Sequence, residues 1–204
     1  MEDETNSYAT PTSPTDAASR TYKISIYCTY TNASHIPVND GMDSTGSFSV
    51  DPDAWVNMTV SDANGVADLY EVKINITTSD GKIIVLNWTQ ATNTFVEVSD
   101  SSGICTLNTS SSVRVNLNST QDKIAFLFKI SAGAQSGNCN VTATTTDDGA
   151  NSDTDTYANE FTIAFYSQIS VTTSTHSWTN ATTGTTNQLI DGTWINFTVT
   201  SNAV

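Results

Sequence analysis

The chain has 204 residues, only 14% of them charged, with 21 acids against seven bases and a formal net charge of −14. That balance excludes nucleic-acid binding, which needs a basic footprint to displace counterions, and it disfavours an anionic membrane surface. A 37% hydrophobic fraction with four Trp and seven Phe excludes a disordered chain, and the length suits one large β domain or two small ones.

Residues 1–20 read as a polar tail with almost nothing to bury. The opening MEDETNSYATPTSPT is the opposite of a charged-then-apolar leader, so for a secreted protein either a leader is expected to have been removed or the sequence begins after it. From Tyr22 the pattern changes: Tyr22, Ile24, Ile26, Cys28 and Tyr30 recur with a period of two, the strongest strand signal in the chain. A loop rich in Asn, Asp, Gly and Ser is expected from Thr31 to about Ser47. Further strands are expected near 54–60, 68–78, 82–89, 93–98, 112–118, 122–130, 139–146, 160–171 and 193–200. In YEVKINITTSDGKIIVLNWTQ, the alternation Val72, Ile74, Ile76 and the turn Asp80-Gly81 predict a hairpin. No window has a helical period, and no segment approaches the roughly 18 apolar residues of a membrane span.

Short strands separated by Gly, Asn, Asp and Ser turns predict an all-β fold, an immunoglobulin-like or pilin-like β-sandwich of about nine or ten strands. The expected organisation is a tail and candidate donor strand over 1–30, then a single sandwich domain over 31–204. A division near Gly149 is the less favoured alternative.

The 35 Thr, 25 Ser and 19 Asn make up more than a third of the chain, a surface composition common in extracellular glycoproteins. Nine Asn-X-Ser/Thr triplets occur, at Asn32, Asn57, Asn75, Asn87, Asn108, Asn118, Asn140, Asn180 and Asn196. Chance alone, with a Ser/Thr fraction of about 0.29, gives roughly five or six, so the count is weak evidence and the geometry carries more. In a strand, residues i and i+2 face the same way, so Asn and Thr point out while the middle residue points in. Met58, Ile76, Trp88, Val141 and Phe197 are expected to be those inward residues, with Ile195 and Val199 beside Phe197.

Three cysteines cannot all pair within one chain; a Cys105–Cys139 disulfide is preferred, against three buried free thiols including Cys28. The two His, His35 and His176, have no useful partner in sequence, and no nucleophile elbow, zinc helix or phosphate loop occurs, so neither an enzyme, a metal nor a cofactor is expected beyond covalent N-glycans. The acids Asp147, Asp148, Asp153 and Asp155 with Asn151 offer hard oxygens for Ca²⁺, but a solvated turn is the preferred reading. An isopeptide bond from Lys23, Lys73, Lys82, Lys123 or Lys129 would require a lysine buried beside an Asn and a carboxylate.

With its polar tail Met1–Arg20, its alternating segment Tyr22–Tyr30 and its sequon strands, the chain resembles the glycosylated surface filament subunits of archaea, above all the thread-type pili, which are similar in fold to bacterial type 1 pilins. The likeness is one of overall style across the chain and includes no signature motif. It does not extend to archaeal type IV pilins or archaellins, whose long apolar N-terminal helix is missing. The resemblance implies an extracellular cell-surface filament: identical subunits joined head to tail by donor-strand complementation, serving adhesion or cell–cell contact. Tyr22, Ile24, Ile26, Cys28 and Tyr30 would then plug a neighbour, at ~1.5–3 kcal/mol per buried side chain, or else form the subunit's own first strand. The other readings are a monomeric secreted or surface sandwich that binds carbohydrate or a protein partner, and a structural protein of a virus or surface layer.

Overall fold

Alternating apolar residues set the strands of the computed structural model, which describes residues 35–171 and 197–202, all within the compact unit Ala33–Val204. Thirteen strands occur among them: β1 Val38–Ser44, β2 Ser47–Phe48, β3 Asp53–Ser61, β4 Leu69–Thr77, β5 Ile83–Thr89, β6 Thr94–Asp100, β7 Cys105–Leu107, β8 Val113–Asn118, β9 Gln121–Ile130, β10 Gly137–Asp147, β11 Ser152–Ile163, β12 Ser167–Val171 and β13 Phe197–Ser201. One sheet runs β1-β3-β9, with β7 and β8 sharing the far edge of β9; the other runs β2-β11-β10-β4-β5-β6. The pairing is antiparallel except between β2 and β11. No helix among the described residues is long and apolar enough to cross a membrane, which says nothing of a β-barrel.

The two inner faces form one core, so the protein is an all-β sandwich. Val56, Met58 and Val60 on β3 and Ile124, Phe126 and Phe128 on β9 come from the first sheet; Ile74, Ile76, Ile84, Leu86, Trp88 and Val141 come from the second. Phe48 stacks on Phe161 with ring centres 4.1 Å apart and meets Phe128 edge-on at 5.5 Å. A polar strut crosses this interior: the Thr145 hydroxyl on β10 donates to Asn39 Oδ1 on β1 at 2.6 Å. Both residues are buried, so the bond satisfies groups that would otherwise be stranded.

The predicted hairpin is present: β4 and β5 pair from Glu71↔Thr89 to Thr77↔Ile83, and Gly81 takes the positive φ (80°) that its turn requires. The expected loop between Thr31 and Ser47 instead contains β1 and β2. The sequence VNDGMDS has no apolar alternation, and β1 is held by backbone pairing to β3, with a bulge between Asn39 and Gly41. The strand expected at 160–171 is two strands, β11 ending at Ile163 and β12 starting at Ser167. Residues 152–160 belong to β11 through backbone pairing with β10, and are mostly polar because the outer neighbour is only the two-residue β2, leaving much of the strand exposed. Gly149 lies in the turn joining β10 to β11, which pair from Thr146↔Ser152 to Gly137↔Ile163, so no linker falls there.

Candidate functional site

The least covered apolar surface is a two-stranded ribbon at one end of the sandwich. β12 and β13 pair with each other and with no other described strand, through Ile169↔Val199 and Val171↔Phe197. Period two places these four side chains on one face, and Gln168, Ser170, Thr198 and Thr200 on the other. The four apolar residues are 54–66% exposed, and neighbouring Phe165 is also open. Buried Asn202 anchors the ribbon's base: its Oδ1 accepts from the Tyr166 amide (2.6 Å), its Nδ2 donates to the Ala164 carbonyl (2.9 Å), and its carbonyl accepts from the Ser136 amide (2.9 Å). Isolated two-stranded ribbons are marginal in water, and contiguous exposed apolar faces mark interaction surfaces. The ribbon corrects one expectation: Phe197 and Val199 face solvent instead of the core. A second apolar stripe lies on β8, where Val113, Val115 and Leu117 point outward while Arg114 turns in over the Trp88 ring at 5.6 Å.

The expected middle residues of the other strand sequons, Met58, Ile76, Trp88 and Val141, are all fully buried. Their asparagines are not equivalent. Asn118 and Asn140 are exposed, and Asn108 is half-buried with its Oδ1 accepting from Ser110 Oγ at 2.9 Å. Asn118 Oδ1 accepts from both the amide and the hydroxyl of Thr120 (2.9 and 3.0 Å), and Asn140 Oδ1 accepts from the Asn159 amide (2.8 Å). Asn75 and Asn87 lie mid-sheet on the outer face, half-buried, each with an unpartnered Oδ1; Asn87 Nδ2, the atom a glycan would use, donates to Glu71 Oε2 at 3.2 Å. Asn57 is 7% exposed between β1 and β9. Glycopeptide mass mapping is therefore expected to find Asn118 and Asn140 modified and Asn57 unmodified in protein glycosylated after folding. The sequons at Asn32, Asn180 and Asn196 and the segment Tyr22, Ile24, Ile26, Cys28, Tyr30 lie outside the described residues.

The expected Cys105–Cys139 disulfide is not formed; both are buried free thiols with different surroundings. Cys105 begins β7 in the first sheet, near Glu97 and Asp100, and Cys139 lies on β10 in the second, near Ser79 and Ile163. Burial drives the Cys139 thiol up to about 12, with the Asp80 charge adding and the Ile163 and Ser79 amides opposing; burial also raises Cys105 strongly. Neither is a nucleophile at neutral pH.

The lysines offer no isopeptide geometry among the described residues: Lys73 and Lys82 make surface ion pairs with Glu71 and Asp80, Lys129 is exposed and Lys123 half-exposed. His35 is exposed and bonded through Nδ1 to Asn64 Oδ1 at 3.0 Å. The acidic turn does not gather its five members: Asp153 Oδ2 accepts from the Asn39 amide (2.9 Å), Asp148 and Asp155 are exposed, and Asn151 donates twice to Asp147. A shallow cleft lies beside Asn93, Phe95, Ser112 and Arg114, but Arg114 is paired with Asp122 and Asn93 Oδ1 accepts from Trp88 Nε1 at 2.9 Å.

No protein-family model matches this chain, and no curated protein matches it. Among solved structures, a DUF4466 family protein from Parabacteroides merdae ATCC 43184 is similar over 68% of this chain, at 10% identity and a TM-score of 0.36. The chain spans half the length of that protein.

Proposed function

We propose that this protein is a structural subunit of an extracellular, N-glycosylated filament of the archaeal thread type, assembled head to tail by donor-strand complementation and serving adhesion or cell–cell contact. The observation that carries this reading is the open apolar face of the β12–β13 ribbon, with Ile169, Val171, Phe197 and Val199 in solvent and no further described strand on either edge. The proposed occupant is the segment Tyr22–Tyr30 of a neighbouring subunit. Its apolar residues alternate with the period a third strand needs, and adding it would turn a marginal ribbon into a three-stranded sheet. The contact joins two different surfaces, so it propagates into a fibre instead of closing on itself. Exposed sequon asparagines on the outer faces suit a fibre surface shielded by sugars against unwanted edge pairing.

The alternative, a monomeric carbohydrate-binding sandwich, has the cleft beside Phe95 in its favour, but the polar groups there are already paired within the protein. Negative-stain microscopy and light scattering of the full chain test the proposal. Filaments many subunits long are expected, and their loss on deleting residues 1–30. Isolated globules from the full chain would defeat the filament reading, and filaments from the truncated chain would defeat the donor assignment.

A further inference from the structure

Away from the ribbon, the chain brings three carboxylates together where the two sheets meet. Asp62 follows β3, Asp68 precedes β4, and Asp147 ends β10; a carboxylate oxygen of each lies within 4.8 Å of the other two. Asp62 and Asp147 are each 1% exposed, and Asp68 is half-buried. The surrounding loop is tied to its own backbone: the Asn64 amide donates to Asp62 Oδ1 (2.7 Å), the Gly65 amide to the Asp62 carbonyl (3.0 Å), and the Asp148 amide to the Asp68 carbonyl (2.8 Å). Asn64 Nδ2 donates to Asp68 Oδ2 (3.0 Å), while Asn151 donates through N and Nδ2 to the two oxygens of Asp147 (2.7 and 2.8 Å).

Those bonds orient the three groups without bringing a Lys or Arg to them. Asp62 Oδ2 is buried with no hydrogen-bond partner, an arrangement that costs free energy unless a cation or proton satisfies it. The Lys and Arg ion pairs among the described residues lie elsewhere, at Glu71, Asp80 and Asp122. Burial pushes the Asp62 carboxyl above the usual carboxylate range; the Asn64 amide and nearby His35 oppose that rise, while the Asp68 and Asp147 charges add to it.

We propose that Asp62, Asp68 and Asp147 form a Ca²⁺ site that clamps the β3–β4 loop to the end of β10. The donor set is all carboxylate oxygen, which suits hard cations and excludes the metals that favour imidazole or thiolate. With Ca–O distances of about 2.3–2.6 Å, two ligands across one ion stand at most ~5 Å apart, so oxygens within 4.8 Å of one another can share it. Two of the three ligands are withdrawn from solvent, so the ion must shed water, which Ca²⁺ does far more readily than Mg²⁺. Since β3 belongs to one sheet and β4 and β10 to the other, the ion would tie the sheets together at this end. The proposal does not depend on whether the protein polymerises.

Calorimetric titration of the full chain with CaCl₂ after chelator treatment, paired with thermal melts, tests the proposal. One ion per chain is expected, with an affinity of roughly 10⁻⁴–10⁻³ M. At a hundredfold excess over Kd, the melting temperature should rise by about 5–10 °C, and an equal concentration of MgCl₂ should do much less. Asp62→Asn should melt higher than the parent in chelator, because it removes like-charge repulsion, yet show no response to Ca²⁺. Should that variant fail to fold, Asp68→Asn at the rim serves the same purpose. No heat of binding and no Ca²⁺-dependent shift in the parent chain, or an undiminished shift in both variants, would overturn the assignment.

Discussion

Replacing Arg114 with alanine is expected to destabilise the fold by about 3–5 kcal/mol, because it strands a buried carboxylate. Asp122 on β9 is fully buried; its Oδ2 accepts from Arg114 Nε at 2.5 Å and its Oδ1 from Asn116 Nδ2 at 2.9 Å. Asn116 alone cannot compensate a full charge in that environment. The same guanidinium lies 5.6 Å from the centre of the Trp88 ring, so the substitution also removes a cation from an aromatic face at the core boundary. A melting temperature lower by about 6–20 °C, and a matching shift of the urea midpoint, are the expected readouts. The paired change Arg114→Met with Asp122→Leu should recover most of the loss, since a well-packed apolar pair often equals a buried ion pair. A loss below about 1 kcal/mol in Arg114→Ala would show that water reaches Asp122.

The second large effect concerns assembly. Ile169→Asp together with Val199→Asp puts two charges opposite each other on the exposed face of the ribbon, where Ile169 and Val199 are direct cross-strand partners. Both side chains stand in solvent, so the sandwich itself should melt within a few degrees of the parent. Filaments should be absent by negative stain, since the apolar side chains of an added third strand would lie beside two carboxylates instead of Ile169 and Val199. Changing Val113 and Val115 to Thr on the outward stripe of β8 should leave assembly intact. If the β8 change abolishes filaments and the ribbon change does not, the donor strand seats on β8.

Where the core is two-sided and alternation is strict, the sequence was enough. Val72, Ile74 and Ile76 with Ile84, Leu86 and Trp88 define both arms of the β4–β5 hairpin and the inward face of each. Alternation does not say which face is inward when both alternating sets are plausible. In VRVNLN the valines and leucine face out, because Arg114 and Asn116 are needed by Asp122; in FTVTS every residue is exposed. β1 was invisible because VNDGMDS has no alternating apolar run: backbone pairing to β3 holds it, and the side chains it turns inward are the polar Asn39 and the half-buried Met42. Among the sequons, the inward middle residue was legible, but crowding by neighbouring strands was not; it leaves Asn57 buried while Asn140 is open. The Cys105–Cys139 expectation rested on similar Ser-Gly settings, which carry no information about which sheet each cysteine enters. Asp147 was noticed among its sequence neighbours, yet the residues that meet it, Asp62 and Asp68, come from the β3–β4 loop far away in the chain.

The pairing of Val171 with Phe197 has a practical corollary for engineering. Val171 and Phe197 are held at adjacent points of one ladder, so the ends of the segment that joins them are fixed side by side whatever its length. Where a connection is a flexible loop, closing it costs only about 0.6 kcal/mol more for each doubling of its length, so an epitope or reporter peptide spliced between these two anchors is expected to lower the melting temperature little. In a polymer such an insertion would recur once per subunit beside each ribbon, turning one permissive interval of sequence into a periodic display.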